Sequence, residues 1–238
     1  MKILVVIAAR GGSKGVKDKN IRNLRGKPLI AYTIQQAIKW GKATDIVCST
    51  DSKRIAAVAE KYGAKVPFIR PIYLAGDKVA KPKVIKHALV KCESIYRKIY
   101  DIIVDLDVTA PIRRISDLDD CLRIFKRENP KTLFSVVKSR KNPYFNMVEE
   151  KESGRVVLCK KTKKTVYARQ EAPAVYDMNA SIYFYRRDYF RDKKNLTVVL
   201  NNSLVYVMDE ISYIDIDNEI DFKFVEFLIK EGLWKDEV

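Results

Sequence analysis

The stretch Lys2-Ile3-Leu4-Val5-Val6-Ile7-Ala8-Ala9-Arg10-Gly11-Gly12-Ser13-Lys14-Gly15-Val16-Lys17-Asp18-Lys19-Asn20 decides how the rest of the chain is read. From Ile3 to Ala9 no polar residue interrupts it, as a strand buried on both faces requires. Arg10-Gly11-Gly12 ends the run long before it could span a membrane or form a cleavable leader, so the cytoplasm is the expected compartment. The residues after the strand are chemically different. Gly11, Gly12 and Gly15 permit tight turns and close approach of backbone N–H groups to a ligand, while Arg10, Lys14, Lys17 and Lys19 add cations. Ligands of open α/β sheets sit outside the carboxyl ends of the strands, where this loop must lie. A triphosphate needs such donors and charges; the plainer alternative is a solvated basic turn. The spacing fits neither Gly-x-Gly-x-x-Gly nor Gly-x-x-x-x-Gly-Lys-Ser/Thr, which disfavours dinucleotide and P-loop readings.

Downstream, apolar runs of strand length alternate with amphipathic runs of helical period. The spacing predicts helix 28–40 with Pro28 in its first turn, strand 45–49, helix 52–62 capped by Asp51 or Ser52, strand 65–69 and a helix near 82–98. Strand 102–107 and a helix to about 128 come next, the helix opened by Ser116 and Asp119 at capping-box spacing. Such alternation builds βαβ units, hence an α/β fold with a mainly parallel sheet and helices on both faces. After Leu133 the pattern changes. Residues 142–172 carry polar and aromatic strand fragments without a long helix, with Lys160-Lys161-Thr162-Lys163-Lys164 at an expected hairpin tip. We read this segment as an arm, suited to pairing with another subunit and embedded in one domain spanning 1–238. Strands at 181–186 and 204–208 and a closing helix at 218–232 complete the expectation.

Composition narrows the function. With 47% hydrophobic and 32% charged residues, disordered and fibrous classes are excluded. Cys48, Cys92, Cys121 and Cys159 form no Cys-x-x-Cys pair, so neither a zinc ribbon nor a disulfide framework is expected. His87 is the only histidine, which rules out a histidine-rich metal site; its neighbours Val84, Ile85, Ala88 and Leu89 make it a core-packing residue of a helix. The formal charge of +16 suits nucleic acid, an acidic membrane or small polyanions, although its scatter reads most simply as a solvated surface.

Two carboxylate pairs matter. Asp215 and Asp217 stand at i and i+2, so in an extended segment both project from one face. Two hard oxygen ligands leave room for water and phosphate oxygens, the usual coordination of Mg²⁺. The competing assignment makes Asp217 the N-cap of the closing helix. Asp105 and Asp107 repeat the spacing at the end of another strand.

Taken together, Ile7-Ala8-Ala9-Arg10-Gly11-Gly12-Ser13-Lys14-Gly15, Lys19-Asn20-Ile21 and Gly26-Lys27-Pro28-Leu29-Ile30 resemble the start of the acylneuraminate cytidylyltransferases, the CMP-sialic acid synthetases and their relatives acting on other nonulosonic acids. The likeness continues in family order through Ser49-Thr50-Asp51, Arg70-Pro71, Leu74-Ala75-Gly76-Asp77, Leu106-Asp107-Val108-Thr109-Ala110-Pro111-Ile112-Arg113, Arg169-Gln170, Asn179-Ala180-Ser181-Ile182-Tyr183 and Ile214-Asp215-Ile216-Asp217. Each block is weak alone; together they span nearly the whole chain.

This resemblance implies a Rossmann-like domain whose hairpin arm, 142–172, forms a homodimer. It implies transfer of CMP from CTP to the anomeric hydroxyl of a nine-carbon acidic sugar, with release of pyrophosphate and Mg²⁺ as cofactor. Nucleic acid and membrane are then not expected partners. By motif match Arg10, Lys14 and Lys19 hold the triphosphate, with Ser13 in the same loop. Asn20 and Arg70 border the nucleoside, with backbone from Ala8, Ala9 and Ala80. Asp107, Thr109, Arg169, Gln170, Asn179 and Tyr183 face the sugar, and Asp215 and Asp217 hold the metal. Arg10, Lys14, Lys19 and Asp217 would be the catalytic set. Asp107 stands where many sialic-acid-activating members carry glutamine, and Asp177 where some place a basic residue. Both changes suggest a sugar other than N-acetylneuraminate, such as a legionaminate-like relative. The alternatives are a transferase acting on 3-deoxy-manno-octulosonate or a hexose-1-phosphate, and a basic nucleic-acid-binding protein.

Overall fold

The computed structural model describes residues 1–12, 15–152, 154–164, 166–191 and 197–235. Strand β1 (Ile3–Ala8) leads through the glycine loop and a two-stranded ribbon, β2 (Asn23–Leu24) and β3 (Lys27–Pro28), into α1 (Leu29–Trp40). Next come β4 (Asp45–Ser49), α2 (Lys53–Lys61), α3 (Lys81–Tyr96), β5 (Ile102–Leu106), α4 (Ile115–Glu128) and β6 (Thr132–Lys138). A hairpin, β7 (Val148–Glu150) and β8 (Val156–Leu158), precedes the long β9 (Tyr176–Arg186); β10 (Leu204–Val207) and α5 (Glu219–Lys230) end the chain's regular structure.

Alternation along β1 shows how the layers form. Ile3, Val5 and Ile7 enter one core with Leu29, Ile34, Leu118, Phe125, Phe222 and Val225, so α1, α4 and α5 cover that face. Leu4 and Val6 enter the other, where Ile85, Ala88 and Leu89 of α3 meet Tyr185, Tyr189 and Phe190. A strand covered on both sides has no polar face, which is why its sequence reads as continuously apolar. The central sheet runs β10-β6-β9-β5-β1-β4. Its pairings are parallel except those of β9 with β5 and β6. The mainly parallel α/β architecture is therefore as expected. Strand β9 is reversed because the chain reaches it through the arm instead of a crossover helix.

Local differences have local causes. The expected strand 65–69 shrinks to one bridge, Lys65 to Val47, because Pro67 has no N–H for a ladder. Pro28 occupies the N-cap of α1, one position before its first turn. Ser52, not Asp51, caps α2 by accepting from Ile55 N–H at 3.4 Å. For α4 the cap is Arg114, whose N–H donates to Asp117 Oδ2 at 2.7 Å. Asp119, expected in that cap, instead accepts from Trp40 Nε1 at 3.0 Å and pairs with Lys42. Between β7 and β8 Lys151 N–H donates to Arg155 O at 2.8 Å, and the 160–164 lysine run, expected at the hairpin tip, lies beyond β8. The four cysteines are free thiols. Among the described residues no helix is long and apolar enough to cross a membrane.

Candidate active site

The carboxyl ends of β1 and β5 open into a cleft of about 480 Å³, lined by Arg10, Lys19, Arg70, Lys81, Asp107 and Asp217 among others. Backbone packing builds its first wall. Gly15 lies so close to Asp217 that a Cβ there would overlap the Asp217 carbonyl oxygen, which only glycine avoids. Lys19 spans the same contact: its Nζ donates to Ile216 O and lies 3.5 Å from Asp217 Oδ1. Asn20, buried, fixes the loop from behind by donating from Nδ2 to Arg10 O at 2.9 Å. Gly11 N–H donates to Asp51 Oδ1 at 3.0 Å. The Arg10 guanidinium reaches across to pair with Asp77 and donates to Ala75 O at 3.4 Å.

The segment carrying Asp215 and Asp217 is irregular extended chain before α5, with Ile216 buried between the two acids. Asp217 does not cap the helix. Asn218 does, its Oδ1 accepting from Ile220 N–H (2.8 Å) and Asp221 N–H (3.1 Å), which leaves the Asp217 carboxylate 77% exposed at the cleft. Ile216 N–H donates to Thr109 O at 2.8 Å, tying this segment to the loop after β5. Burial pushes the Asp215 carboxyl above its ordinary value; Asp107 and Asp217 add to the rise, against Thr109 and Lys19. Its Oδ1 is buried and, among the described residues, without a hydrogen-bond partner. An orphaned carboxylate oxygen, crowded by other acids next to an exposed partner carboxylate, could hold a hard cation. Among the described residues no three His, Cys, Asp or Glu side chains converge as a metal cluster, so the remaining positions would fall to water and phosphate.

The cleft floor is the 107–113 loop. Thr33 Oγ1 on α1 donates to Asp107 O at 3.1 Å, and Gln36 Nε2 donates to Pro111 O at 2.9 Å. Arg113, 1% exposed, donates from Nη2 to Asp107 O and, at 2.6 Å, to Ala110 O. Burial drops its pKa to about 10 despite the nearby aspartates. Asp107 accepts from Thr109 N–H (3.3 Å) and Oγ1 (3.2 Å) and pairs with Lys81. Burial opposes its ionisation, but Lys81 and Thr109 hold its carboxyl below the usual value. Arg70, also buried, faces Asp51 at 3.6 Å, and among the described residues its Nε and Nη2 lack hydrogen-bond partners.

Comparison with known proteins decides the family. Residues 4–225 match the family model described as Cytidylyltransferase. The chain belongs to that family. It is 46% identical over 228 residues to the CMP-N,N'-diacetyllegionaminic acid synthase of Campylobacter jejuni, covering 96% of this chain and 95% of that one. It is 44% identical over 230 residues to the post-translational flagellin modification protein B of Campylobacter coli, covering 97% and 96%. The solved structure of CMP:2-keto-3-deoxy-manno-octonic acid synthetase complexed with CTP matches with a TM-score of 0.69 over 98% of this chain and 100% of that one; at 16% identity the likeness is one of fold.

Within this cytidylyltransferase, Ala8, Arg10, Lys19, Asn20, Arg70, Asp107, Thr109 and Asp217 line the cleft together. Ser13 and Lys14 lie outside the described residues. Ala9 is fully buried, its N–H donating to Ser49 O at 3.0 Å. Ala80 is the N-cap of α3, between the cleft residues Val79 and Lys81. Tyr183 lies under Lys81, 4.9 Å from Nζ to ring centroid. Asn179 is turned into the sheet: it accepts from Ser135 Oγ (2.7 Å) and donates to Ser212 O (3.0 Å), beside a left-handed Ala180. Arg169 and Gln170 are exposed on the arm, where Arg169 donates to Ser139 O at 3.0 Å, and neither lines this cleft. The expected site residues thus divide between a cleft, the sheet beneath it and the arm. Sequence reading missed Lys81 and Asp77, both cleft-lining. Their signal was position, one beside Ala80 and the other closing the Leu74-Ala75-Gly76-Asp77 block.

Proposed function

We propose that this cytidylyltransferase transfers CMP from CTP to the anomeric hydroxyl of a nonulosonic acid of the legionaminate type, releasing pyrophosphate with Mg²⁺ as cofactor. One observation carries the reading: the glycine loop rests on Asp217 and Lys19 joins the two, so the elements this reading assigns to phosphate and to metal share one cleft. The loop and Arg10 present donors for the β- and γ-phosphates, and Lys19 offsets charge on the departing pyrophosphate. Asp215 and Asp217 would hold Mg²⁺, which when bound draws charge from the phosphate oxygens. The 107–113 loop, braced by Arg113, Thr33 and Gln36, fixes Asp107 and Thr109 on the sugar side. The 46% identical legionaminic acid synthase, together with Asp107, supports a legionaminate-type sugar.

The test is pyrophosphate release from each nucleoside triphosphate with a panel of nonulosonic acids, 3-deoxy-manno-octulosonate and hexose-1-phosphates. Turnover is expected with CTP and legionaminate-type acids, and N-acetylneuraminate should be poorer. Asp217→Ala should lower kcat by at least about a hundredfold with unchanged circular dichroism, since charge stabilisation of the transition state is lost. A preference for N-acetylneuraminate overturns the sugar; full activity of Asp217→Ala overturns the metal site.

A further inference from the structure

Lys81 acquires a role beyond the cytidylyltransferase reading, on which the inference rests. This residue opens α3, and its Nζ lies 3.0 Å from Asp105 Oδ2, against Asp107 Oδ2 and over the Tyr183 ring. The Asp105 side chain has no exposed surface, and among the described residues neither of its oxygens has a hydrogen-bond partner, so its ion pair with Lys81, with Arg113 adding to it, compensates the buried charge. The other cation here, Arg113, spends Nη2 on backbone carbonyls. Two aspartates against one lysine and one arginine leave the floor near neutral. Without the lysine it would carry excess negative charge facing the cleft, and an anionic sugar would be repelled.

An ammonium has three N–H donors. One of them donates to Asp107, the contact with Asp105 is an ion pair, and the side chain, 31% exposed, lines the cleft with a donor to spare. We propose that Lys81 determines specificity for acidic sugars: it receives the sugar carboxylate through that donor and screens it from Asp105 and Asp107. The triphosphate is the less suitable partner. Lys81 is carried by α3, which packs on the sheet face opposite the core that holds Val16 and Ile216, where the glycine loop and the Asp217 segment are anchored.

Steady-state kinetics of Lys81→Met and Lys81→Arg, with an acidic sugar and its C1 carboxamide, test this. Lys81→Met should raise KM for the acidic sugar roughly ten- to a hundredfold, the loss of one charge-assisted hydrogen bond. Its KM for CTP should stay within about twofold of wild type. It should also lose the wild-type preference for carboxylate over carboxamide, and Lys81→Arg should regain part of that preference. Because Lys81→Met strands Asp105, the double variant Lys81→Met/Asp105→Asn is measured beside it and should show the same loss of preference. A rise in KM for CTP instead, or an unchanged carboxylate preference in active variants, overturns the inference alone. A wild-type enzyme that turns over no acidic sugar overturns the functional reading and this inference with it.

Discussion

Two glycines of one loop separate conformational need from habit. At Gly15 a methyl group meets the Asp217 carbonyl; at Gly12 it meets nothing within 4 Å among the described residues. Neither has a left-handed φ, so contact alone distinguishes them. Gly15→Ala should push the loop off Asp217 and cost roughly a hundredfold in kcat/KM, as displacements near an ångström do at reacting centres, whereas Gly12→Ala should be within about twofold. Steady-state assays of both variants check this, and equal losses would show that the loop is not seated on Asp217. In the sequence the three glycines are equivalent, because what distinguishes them is a segment some two hundred residues away. The cationic character of the loop and the i, i+2 acids were legible, since residue type and spacing suffice. Lys81 was not. In an amphipathic helix it reads as one more solvated lysine, and only the sheet register of Asp105 and Asp107 gives it partners.

At the scale of elements, period fixed helices and strands well wherever a two-sided core demands it. Boundaries moved where one residue governs: Pro67 erased a strand, and Asn218 took the cap that the competing assignment gave to Asp217. The direction of β9 had no local signature, because a strand buried between neighbours has the same apolar content whichever way it runs. The other end of the sheet is secured electrostatically. Asp45, at the start of β4 and without exposed surface, pairs with Lys65 (2.7 Å) and Lys98 (2.8 Å) and accepts from Tyr100 Oη (2.6 Å). Burial opposes its ionisation, but these three partners outweigh it and lower its pKa. A carboxyl whose native pKa is depressed stabilises the fold above its unfolded value near 4 and loses that contribution as pH falls through the native value. Asp45→Asn should therefore cost about 2 kcal/mol at pH 7, less than a fully buried pair because both lysines are partly exposed. Urea titrations at pH 7 and near pH 3 should show the difference between wild type and variant closing at the acid end. A constant difference would mean that packing, not charge, is at work.

At the scale of the molecule the arm is the unfinished part. Two three-residue strands cannot bury a core, and a lone hairpin of this kind is marginal in water. Val148 and Leu158 pair across it and Val156 shares their side, at 57%, 39% and 61% exposure. Tyr176 and Met178 at the start of β9, and Val205 and Val207 on the edge strand β10, are similarly uncovered. We propose that a second copy of the chain covers these surfaces, giving the homodimer the sequence suggested. Pairing of arms would also account for Arg169 and Gln170, expected at a sugar site yet carried on the arm outside this chain's cleft. The native protein should scatter light with twice the mass of one chain. Val148→Asp/Val156→Asp should halve that mass by placing charges in the apolar interface, with unfolding still cooperative because neither side chain belongs to either core. If the arm carries sugar contacts to the second copy, the monomeric variant should lose turnover while still binding CTP, a split measurable by calorimetry beside the pyrophosphate assay. A monomeric wild type, or a monomeric variant with full turnover, would return Arg169 and Gln170 to the solvent and leave each cleft complete within its own chain.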